Sequence, residues 1–324
     1  MIKSRPEISI VIPVYRSEKI LPTLVDQVSA SMDAAKMTGR FELILVNDAS
    51  PDGSWQVIEG LVARHAFVQG ICLARNFGQH NATMAGLNHA LGEIVVIMDD
   101  DLQHPPQAIM ALVGAVRDGY DVCYTRYVNR QHVVWKRIGS WFNDRVASFL
   151  LQKPRGLYLS SFKALRRWVV QQVIRYDGPY AYVDGLILDN TKNITNIPIE
   201  HQSRHEGEGN YDLKRSVSLW MKMATSFSII PLRIASITGM FLAIVSAIVM
   251  IYVLVGKLMH PDTPAGWTSL LLTVLFVGGL QLLCLGVIGE YLGRAYLKIN
   301  HKPQFAIRET IGCESTNIGA RDVE

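Results

Sequence analysis

Two long uncharged stretches near the C-terminus constrain the fold of this 324-residue chain more than any other feature. Ile234–Val255 contains 22 residues and Trp267–Gly289 contains 23, and neither holds a charged side chain. A helix rises about 1.5 Å per residue, so each stretch can cross the roughly 30 Å hydrocarbon core of a bilayer. We therefore predict a two-helix transmembrane hairpin, with helices at 232–256 and 266–290. Two helices buried in a soluble core are the disfavoured alternative, because core helices rarely run uncharged over this length.

Basic residues flank the predicted hairpin on its outer sides. They are Lys214, Arg215, Lys222 and Arg233 before it, and Arg294, Lys298, Lys302 and Arg308 after it. Because cytoplasmic flanks carry the excess of Lys and Arg, both flanks are predicted to be cytoplasmic and the short loop external. Residues 1–211 then form a cytoplasmic domain and residues 291–324 a cytoplasmic tail. Four cysteines with wide spacing fit a reducing compartment.

Residues 212–231 connect the soluble part to the first predicted span. Leu213, Val217, Trp220 and Phe227 recur at helical spacing, with basic residues to the other side. This pattern predicts an amphipathic helix that lies on anionic headgroups. A helix packed into the core of the soluble domain is the alternative that the sequence leaves open.

The soluble part alternates short apolar runs with longer helical stretches. The runs predict strands at Ile8–Val14, Glu42–Val46, Gly70–Leu73, Ile94–Met98 and Asp121–Tyr124. The stretches between them predict helices at Ile20–Met37, Ser54–Arg64, Gln79–Leu91 and Pro106–Asp118. Such alternation is typical of an α/β fold with a mostly parallel sheet covered by helices on both faces. The apolar content of 49% excludes a disordered chain, and the net charge of +4 is too mild to indicate a nucleic-acid partner.

Polar residues follow each predicted strand, where open α/β sheets bind their ligands. The most informative are the three consecutive acids Asp99, Asp100 and Asp101, whose charges repel one another unless a cation is present. In extended backbone Asp99 and Asp101 point to one face and Asp100 to the other. The pair can offer oxygen ligands to Mg²⁺ or Mn²⁺, with substrate phosphates completing the shell. In isolation the triplet could equally be a solvated acidic loop; its place after a buried strand favours the metal site.

Several runs, in this order, resemble family 2 glycosyltransferases. They are ISIVIPVY at Ile8–Tyr15, VNDASPDG at Val46–Gly53, ARNFGQH at Ala74–His80, MDDDLQHPP at Met98–Pro106 and VIGEYLGR at Val287–Arg294. The chain is most similar to the polyprenyl-phosphate branch, which includes dolichol-phosphate mannose synthase, bactoprenol glucosyltransferases and undecaprenyl-phosphate aminoarabinose transferases. The resemblance implies a GT-A fold and transfer of a sugar, UDP-linked, to undecaprenyl phosphate with inversion at C1. It also implies a multi-pass protein of the bacterial inner membrane that serves envelope glycan or lipopolysaccharide modification, and a homo-oligomer, for instance a tetramer.

The same resemblance assigns roles to individual residues. Those implied at the metal are Asp99, Asp101 and Gln103, with Asp99 and Asp101 also counted as catalytic. Those implied to bind the nucleotide-sugar are Pro13, Tyr15, Asp48, Arg75 and Asp100. Two alternatives stay open: Asp48 as a turn or helix-cap residue, and Arg75 as a surface ion pair.

A phosphate monoester acceptor is largely dianionic at neutral pH, so it needs a cationic site more than a strong general base. Candidates are Arg126, Lys136, Arg137 and Arg204, with Arg130 and Lys214 as weaker ones. Arg204 matches the family's R-x-x-G segment and is the third residue implied in catalysis. Arginine suits the task because its fork binds phosphate at two points. Any one of these residues could instead be a solvated surface charge.

The chain departs from many relatives at three positions. Ser17 stands where they carry Glu, Ser161 stands where they carry an acid, and Gly209 stands where they carry Ser. These departures motivate an alternative, a catalytically degenerate membrane protein that binds nucleotide-sugars. A processive polysaccharide synthase is a further alternative, since Arg167 and Trp168 match part of the Gln-x-x-Arg-Trp motif of such enzymes but the Gln is missing.

Overall fold

A computed structural model describes residues 5–128, 157–200, 230–259, 266–300 and 302–313. The described residues form two compact units. One unit combines the residues up to 200 with 302–313, and the other contains two long helices between 230 and 300.

Four parallel strands form the centre of the first unit. They are β1 (Ile8–Val14), β2 (Phe41–Asn47), β3 (Val68–Leu73) and β4 (Ile94–Ile97), in the order β4-β1-β2-β3. Every residue of β1 and β2 is buried, as expected for apolar runs in a sheet that is covered on both faces. The strands predicted from these four runs are confirmed, with ends that differ by at most two residues.

Four further strands extend this sheet on its two sides. They are β5 (Val122–Val128), β6 (Lys163–Arg166), β7 (Ile194–Glu200) and β8 (Ile307–Ile311). The described strands follow the order β7-β5-β6-β4-β1-β2-β3-β8, in which β6 runs antiparallel to β4 and β5, and β8 antiparallel to β3. The predicted fifth strand is confirmed; it begins one residue later than predicted and ends four residues later, at Val128. The other three strands were not predicted from the sequence, including β8, which brings part of the 291–324 segment into the sheet.

Helices cover both faces of the sheet. They are α1 (Leu21–Ala34), α2 (Ser54–Arg64), α3 (Gln79–His89), α4 (Ile109–Arg117), α5 (Arg167–Val173) and α6 (Val183–Asn190). Apolar residues of α1, α2 and α4 pack with one face of the central strands, and α3 lies on the opposite face. The predicted helix Pro106–Asp118 is divided into a 3-10 turn at Pro106–Ala108 followed by α4.

Gly86 marks the closest approach of α3 to the sheet. A Cβ atom at this position would lie 2.4 Å from Cγ1 of Val11 and 3.0 Å from Cγ2 of Val46. Both valines lie in central strands and have little room to withdraw. We therefore expect Gly86→Ala to lower the free energy of unfolding by about 1–3 kcal/mol in chemical denaturation.

Gly114 provides the matched control, because it is also helical but a Cβ there would meet no atom within 4 Å. Gly114→Ala in α4 should leave the free energy of unfolding unchanged or raise it by up to about 1 kcal/mol, since alanine favours helix. Equal destabilisation by both variants would contradict the packing described for α3.

The second unit contains α7 (Ile230–Met259) and α8 (Trp267–Ile299). Within the described residues, the segment Phe276–Leu297 is long and apolar enough to cross a membrane, with a mean hydropathy of 1.5. Both helices expose large apolar side chains, such as Phe241 and Leu282. The hairpin of two spans and its orientation stay predictions. Of the residues 212–231 assigned to the amphipathic helix, 212–229 lie outside the described residues, and Ile230 and Pro231 belong to α7.

Candidate active site

A cavity of about 360 Å³ lies at the carboxyl ends of β1, β2 and β4. Its lining residues are Pro13, Val14, Tyr15, Asp48, Asn76, Gly78, Gln79, Asp99, Asp100 and Asp101. The structure thus brings together six of the residues singled out in the sequence, because the loops that leave parallel strands meet at one edge of the sheet.

Asp99 is held by side chains from three different segments. Gln79 Nε2 donates to its Oδ1, Ser161 Oγ donates to its Oδ2, and His104 Nε2 lies 3.3 Å from Oδ2. Burial by itself would raise the pKa of Asp99. The hydrogen bond and charge of His104, the Ser161 hydroxyl and the Lys163 charge outweigh burial and hold the pKa below its usual value. This carboxylate is therefore ionised at neutral pH.

Asp100 turns toward the loop that follows β1. Its Oδ2 accepts the backbone N–H of Tyr15 at 3.1 Å and the hydroxyl of Ser17. Burial raises the pKa of Asp100, and the charge of Asp99 adds to this effect, while the bonds from Ser17 and Tyr15 only partly oppose it. Neighbouring carboxyl groups in one cavity thus differ in their proton affinity, because their local partners differ.

The Asp101 side chain closes a tight turn with the backbone two residues further along the chain. Its Oδ1 accepts the N–H of Gln103 at 3.1 Å, and the intervening Leu102 has a φ of 57°, which is uncommon for a residue other than glycine. Gln103, implied by the resemblance to lie beside a metal, contributes its backbone N–H to this turn.

Asp48 fixes the loop that precedes α3. It is 3% exposed, and its two carboxylate oxygens accept the backbone N–H groups of Phe77 at 2.7 Å and Gly78 at 2.8 Å. Burial raises its pKa, and these two bonds only partly counter that. The alternative left open from the sequence, a residue that caps a turn, describes these contacts; contact with a nucleobase or ribose stays a prediction.

The basic candidates lie apart from the cavity lining. The Arg75 guanidinium is exposed and sits 4.1 Å from the centre of the Phe77 ring, and Arg126 is exposed on β5. None of the described residues that line the cavity is Lys or Arg. The remaining candidates lie outside the described residues: Arg130, Lys136, Arg137, Arg204 and Lys214, together with Gly209. Binding of an acceptor phosphate by these residues stays a prediction.

The acids in the cavity fit an open cation site better than a closed one. Among the described residues, no group of three or more His, Cys, Asp or Glu side chains converges as an all-protein metal cage would require. Asp99 and Asp101 nevertheless line the same cavity. Hard cations such as Mg²⁺ typically take one or two carboxylates and complete their shell with water and substrate phosphates. The residues present therefore fit a divalent cation that binds together with a diphosphate.

A buried ion pair lies behind the Asp99 contacts and was missed in the sequence. Lys163 of β6 pairs with Asp184 of α6, and the Tyr124 hydroxyl donates to the same Asp184 oxygen at 2.9 Å. Ser161, which contacts Asp99, stands two residues before Lys163 in the same segment. Gln79 lies in the motif Ala74–His80 and His104 in the motif Met98–Pro106. Their place in these motifs is the sequence feature that could have identified them.

The chain is similar in sequence to a known protein family and to named relatives. A family model described as glycosyl transferase family 2 matches residues 9–174. Undecaprenyl-phosphate 4-deoxy-4-formamido-L-arabinose transferase of Yersinia pestis (strain Pestoides F) is 31% identical over 321 residues, covering 98% of this chain and 97% of that protein. The protein of the same name from Yersinia enterocolitica (serotype O:8, biotype 1B) is 30% identical over 313 residues, covering 96% and 95%.

Among solved structures, glucosyl-3-phosphoglycerate synthase from Mycobacterium tuberculosis in complex with phosphoglyceric acid aligns with a TM-score of 0.51. It is 18% identical, and the alignment covers 69% of this chain and 79% of that one. The likeness concerns the fold alone, and it confirms the expected GT-A-like α/β architecture with a mostly parallel sheet.

Proposed function

This chain belongs to glycosyltransferase family 2 and is a glycosyltransferase, and on that premise we propose that it transfers a sugar from a UDP-sugar to undecaprenyl phosphate. The observation that carries the proposal is the cavity in which Asp99, Asp100 and Asp101 meet at the strand ends beside Asp48. Relatives named for undecaprenyl phosphate match the chain over 98% of its length, apolar helices included. An acceptor with a long isoprenoid chain suits a protein that carries such helices.

Asp99 and Asp101 would hold Mg²⁺ or Mn²⁺, and the bound cation would neutralise the diphosphate of the departing nucleotide. Other residues of the cavity hold its lining in place through hydrogen bonds. Asp48 accepts hydrogen bonds from the loop at Asn76–Gly78, which forms part of the cavity lining. The Tyr15 N–H donates to Asp100 and so holds this acid to the loop after β1. These contacts keep the donor site formed before the donor arrives.

The acceptor phosphate supplies its own nucleophile, because its dianion needs no strong base to remove a proton. One phosphate oxygen attacks C1 of the sugar from the side opposite the nucleotide. The new C1–O bond forms as the bond from C1 to the UDP oxygen breaks, which inverts the configuration at C1. Arginine and lysine side chains would hold this phosphate, and the candidates are Arg126, Lys136, Arg137 and Arg204.

We place the reaction at the cytoplasmic face of the bacterial inner membrane, where both substrates meet. The apolar segment Phe276–Leu297 supports membrane attachment, and small residues such as Gly278 and Gly279 permit close helix packing in a homo-oligomer. The product, a lipid-linked sugar, would serve modification of envelope glycan or lipopolysaccharide.

A panel of nucleotide-sugars tests this function. Membranes containing the protein are incubated with undecaprenyl phosphate and one donor at a time, and the lipid product is identified by mass spectrometry. We expect one donor to add a single sugar to the lipid, and membranes with Asp101→Asn to add none. UDP binding without a product from any donor would favour the non-catalytic alternative, and a ladder of polymers would favour a processive synthase.

A further inference from the structure

Two serine hydroxyls from distant segments donate hydrogen bonds to the acid triplet. Ser17, in the loop after β1, donates to Asp100 Oδ2, and Ser161, just before β6, donates to Asp99 Oδ2. The paired residues are 83 and 62 positions apart in the chain, so neither contact is a by-product of a local turn. Adjacent carboxylates repel one another, and these contacts draw them toward different segments.

The contact of Ser161 belongs to a closed three-residue cluster. His104 Nε2 lies 3.2 Å from Ser161 Oγ and 3.3 Å from Asp99 Oδ2, so each of the three side chains contacts the other two. His104 is 3% exposed and packs against the ring of Phe162, with the ring centres 5.1 Å apart. A side chain that is packed in this way gives Ser161 and Asp99 a rigid partner.

We propose that Ser161 and Ser17 are positioning residues, which orient Asp99 and Asp100 for the divalent cation and the nucleotide. The inference rests on the proposed metal-assisted transfer and concerns how the site is prepared for it. A hydroxyl can donate a hydrogen bond to a carboxylate, whereas an ionised acid at the same place can only accept. Ser17 and Ser161 can therefore donate to the carboxylates, which an ionised acid at these positions could not do. The site also carries less negative charge than it would with acids there.

Ser160 offers a matched control in the adjacent position. Its hydroxyl lies 2.8 Å from Thr125 Oγ1 and accepts the N–H of Phe162 at 3.2 Å, so it faces the core. Ser160→Ala therefore removes a buried hydroxyl from the same segment without removing a contact to Asp99.

The experiment is calorimetric titration of the full-length protein in detergent with Mn²⁺ in the presence of UDP, which requires neither sugar nor lipid. Removing a group that orients a metal ligand typically costs about 10- to 100-fold in metal affinity, and we expect a loss in this range for Ser161→Ala. Ser17→Ala should weaken binding by about 10-fold, the effect of losing one hydrogen bond to a charged group. Ser161→Thr, which keeps the hydroxyl, should bind like the wild type, and so should Ser160→Ala.

The outcomes separate the two proposals. If the wild type binds Mn²⁺ and UDP but Ser161→Ala binds as well as Ser160→Ala, the positioning role is overturned while the proposed function stands. Equal losses in Ser160→Ala and Ser161→Ala, together with lowered melting temperatures, would show general destabilisation and also overturn it. A wild type that binds no Mn²⁺ with UDP would overturn the proposed function, and the inference with it.

Discussion

Asp101→Asn is expected to lower kcat for sugar transfer by at least about 100-fold, the usual effect of removing a group that stabilises developing charge. The substitution removes a negative charge from the cavity and leaves the shape of the side chain almost unchanged. The asparagine oxygen can still accept the N–H of Gln103, which Asp101 Oδ1 accepts at 3.1 Å, so the turn should persist. The loss should therefore appear in initial rates of lipid-product formation and not in the melting temperature.

Asp118→Asn is the control for this variant, because Asp118 is exposed at the end of α4 and lines none of the described part of the cavity. It should transfer sugar at the wild-type rate. Wild-type turnover by Asp101→Asn would show that this carboxylate has no part in holding the cation, and the site would have to be assigned to other residues.

Lys163→Met should produce the largest loss of stability among single substitutions near the site. Lys163 and Asp184 are 3% and 8% exposed and form an ion pair inside the protein. Removal of the Lys163 ammonium group leaves the Asp184 carboxylate buried, with the Tyr124 hydroxyl as a remaining donor at 2.9 Å. Breaking one side of a buried pair typically costs about 3–5 kcal/mol, and we expect a loss of this size in the free energy of unfolding, measured by urea denaturation.

The exposed pair of Arg40 with Glu7 supplies the comparison, since both side chains are partly in solvent. Arg40→Met should cost less than about 1 kcal/mol, because water screens the charges and hydrates the partner that is left. A cost for Lys163→Met as small as that for Arg40→Met would mean that Asp184 is not buried as described.

The runs from which the sequence predicted strands share one physical property: nearly all of their residues are buried. Ile8–Val14 reads as an apolar run because both sides of β1 are covered. The missed strands lack this signal. Lys163–Arg166 has four residues with charges at both ends, and Ile307–Ile311 exposes its three central residues. The latter pairs with β3 through contacts such as Cys72 with Glu309, which no local pattern can encode.

Part of the site was predictable, because the order of strands and loops in the sequence determines which residues meet at the sheet edge. The rule that parallel strands deliver ligand-binding residues to one edge places Asp48 and Asp99–Asp101 together without any knowledge of packing. The hydrogen bonds from Ser17 and Ser161 were not predictable, because they depend on how distant segments pack. In the sequence both serines read only as departures from relatives. Asp48 remained open between two roles; its bonds to Phe77 and Gly78 fit a residue that caps a turn, and contact with the nucleotide stays a prediction.

Dependence on a divalent cation is the most direct test of the account. Purified full-length protein, undecaprenyl phosphate and the donor identified by the panel are assayed in EDTA, and then after Mn²⁺ or Mg²⁺ is restored in excess. Lipid-linked sugar is expected to fall to background in EDTA and to return with the cation. Full turnover in EDTA would contradict the claim that Asp99 and Asp101 act through a bound cation.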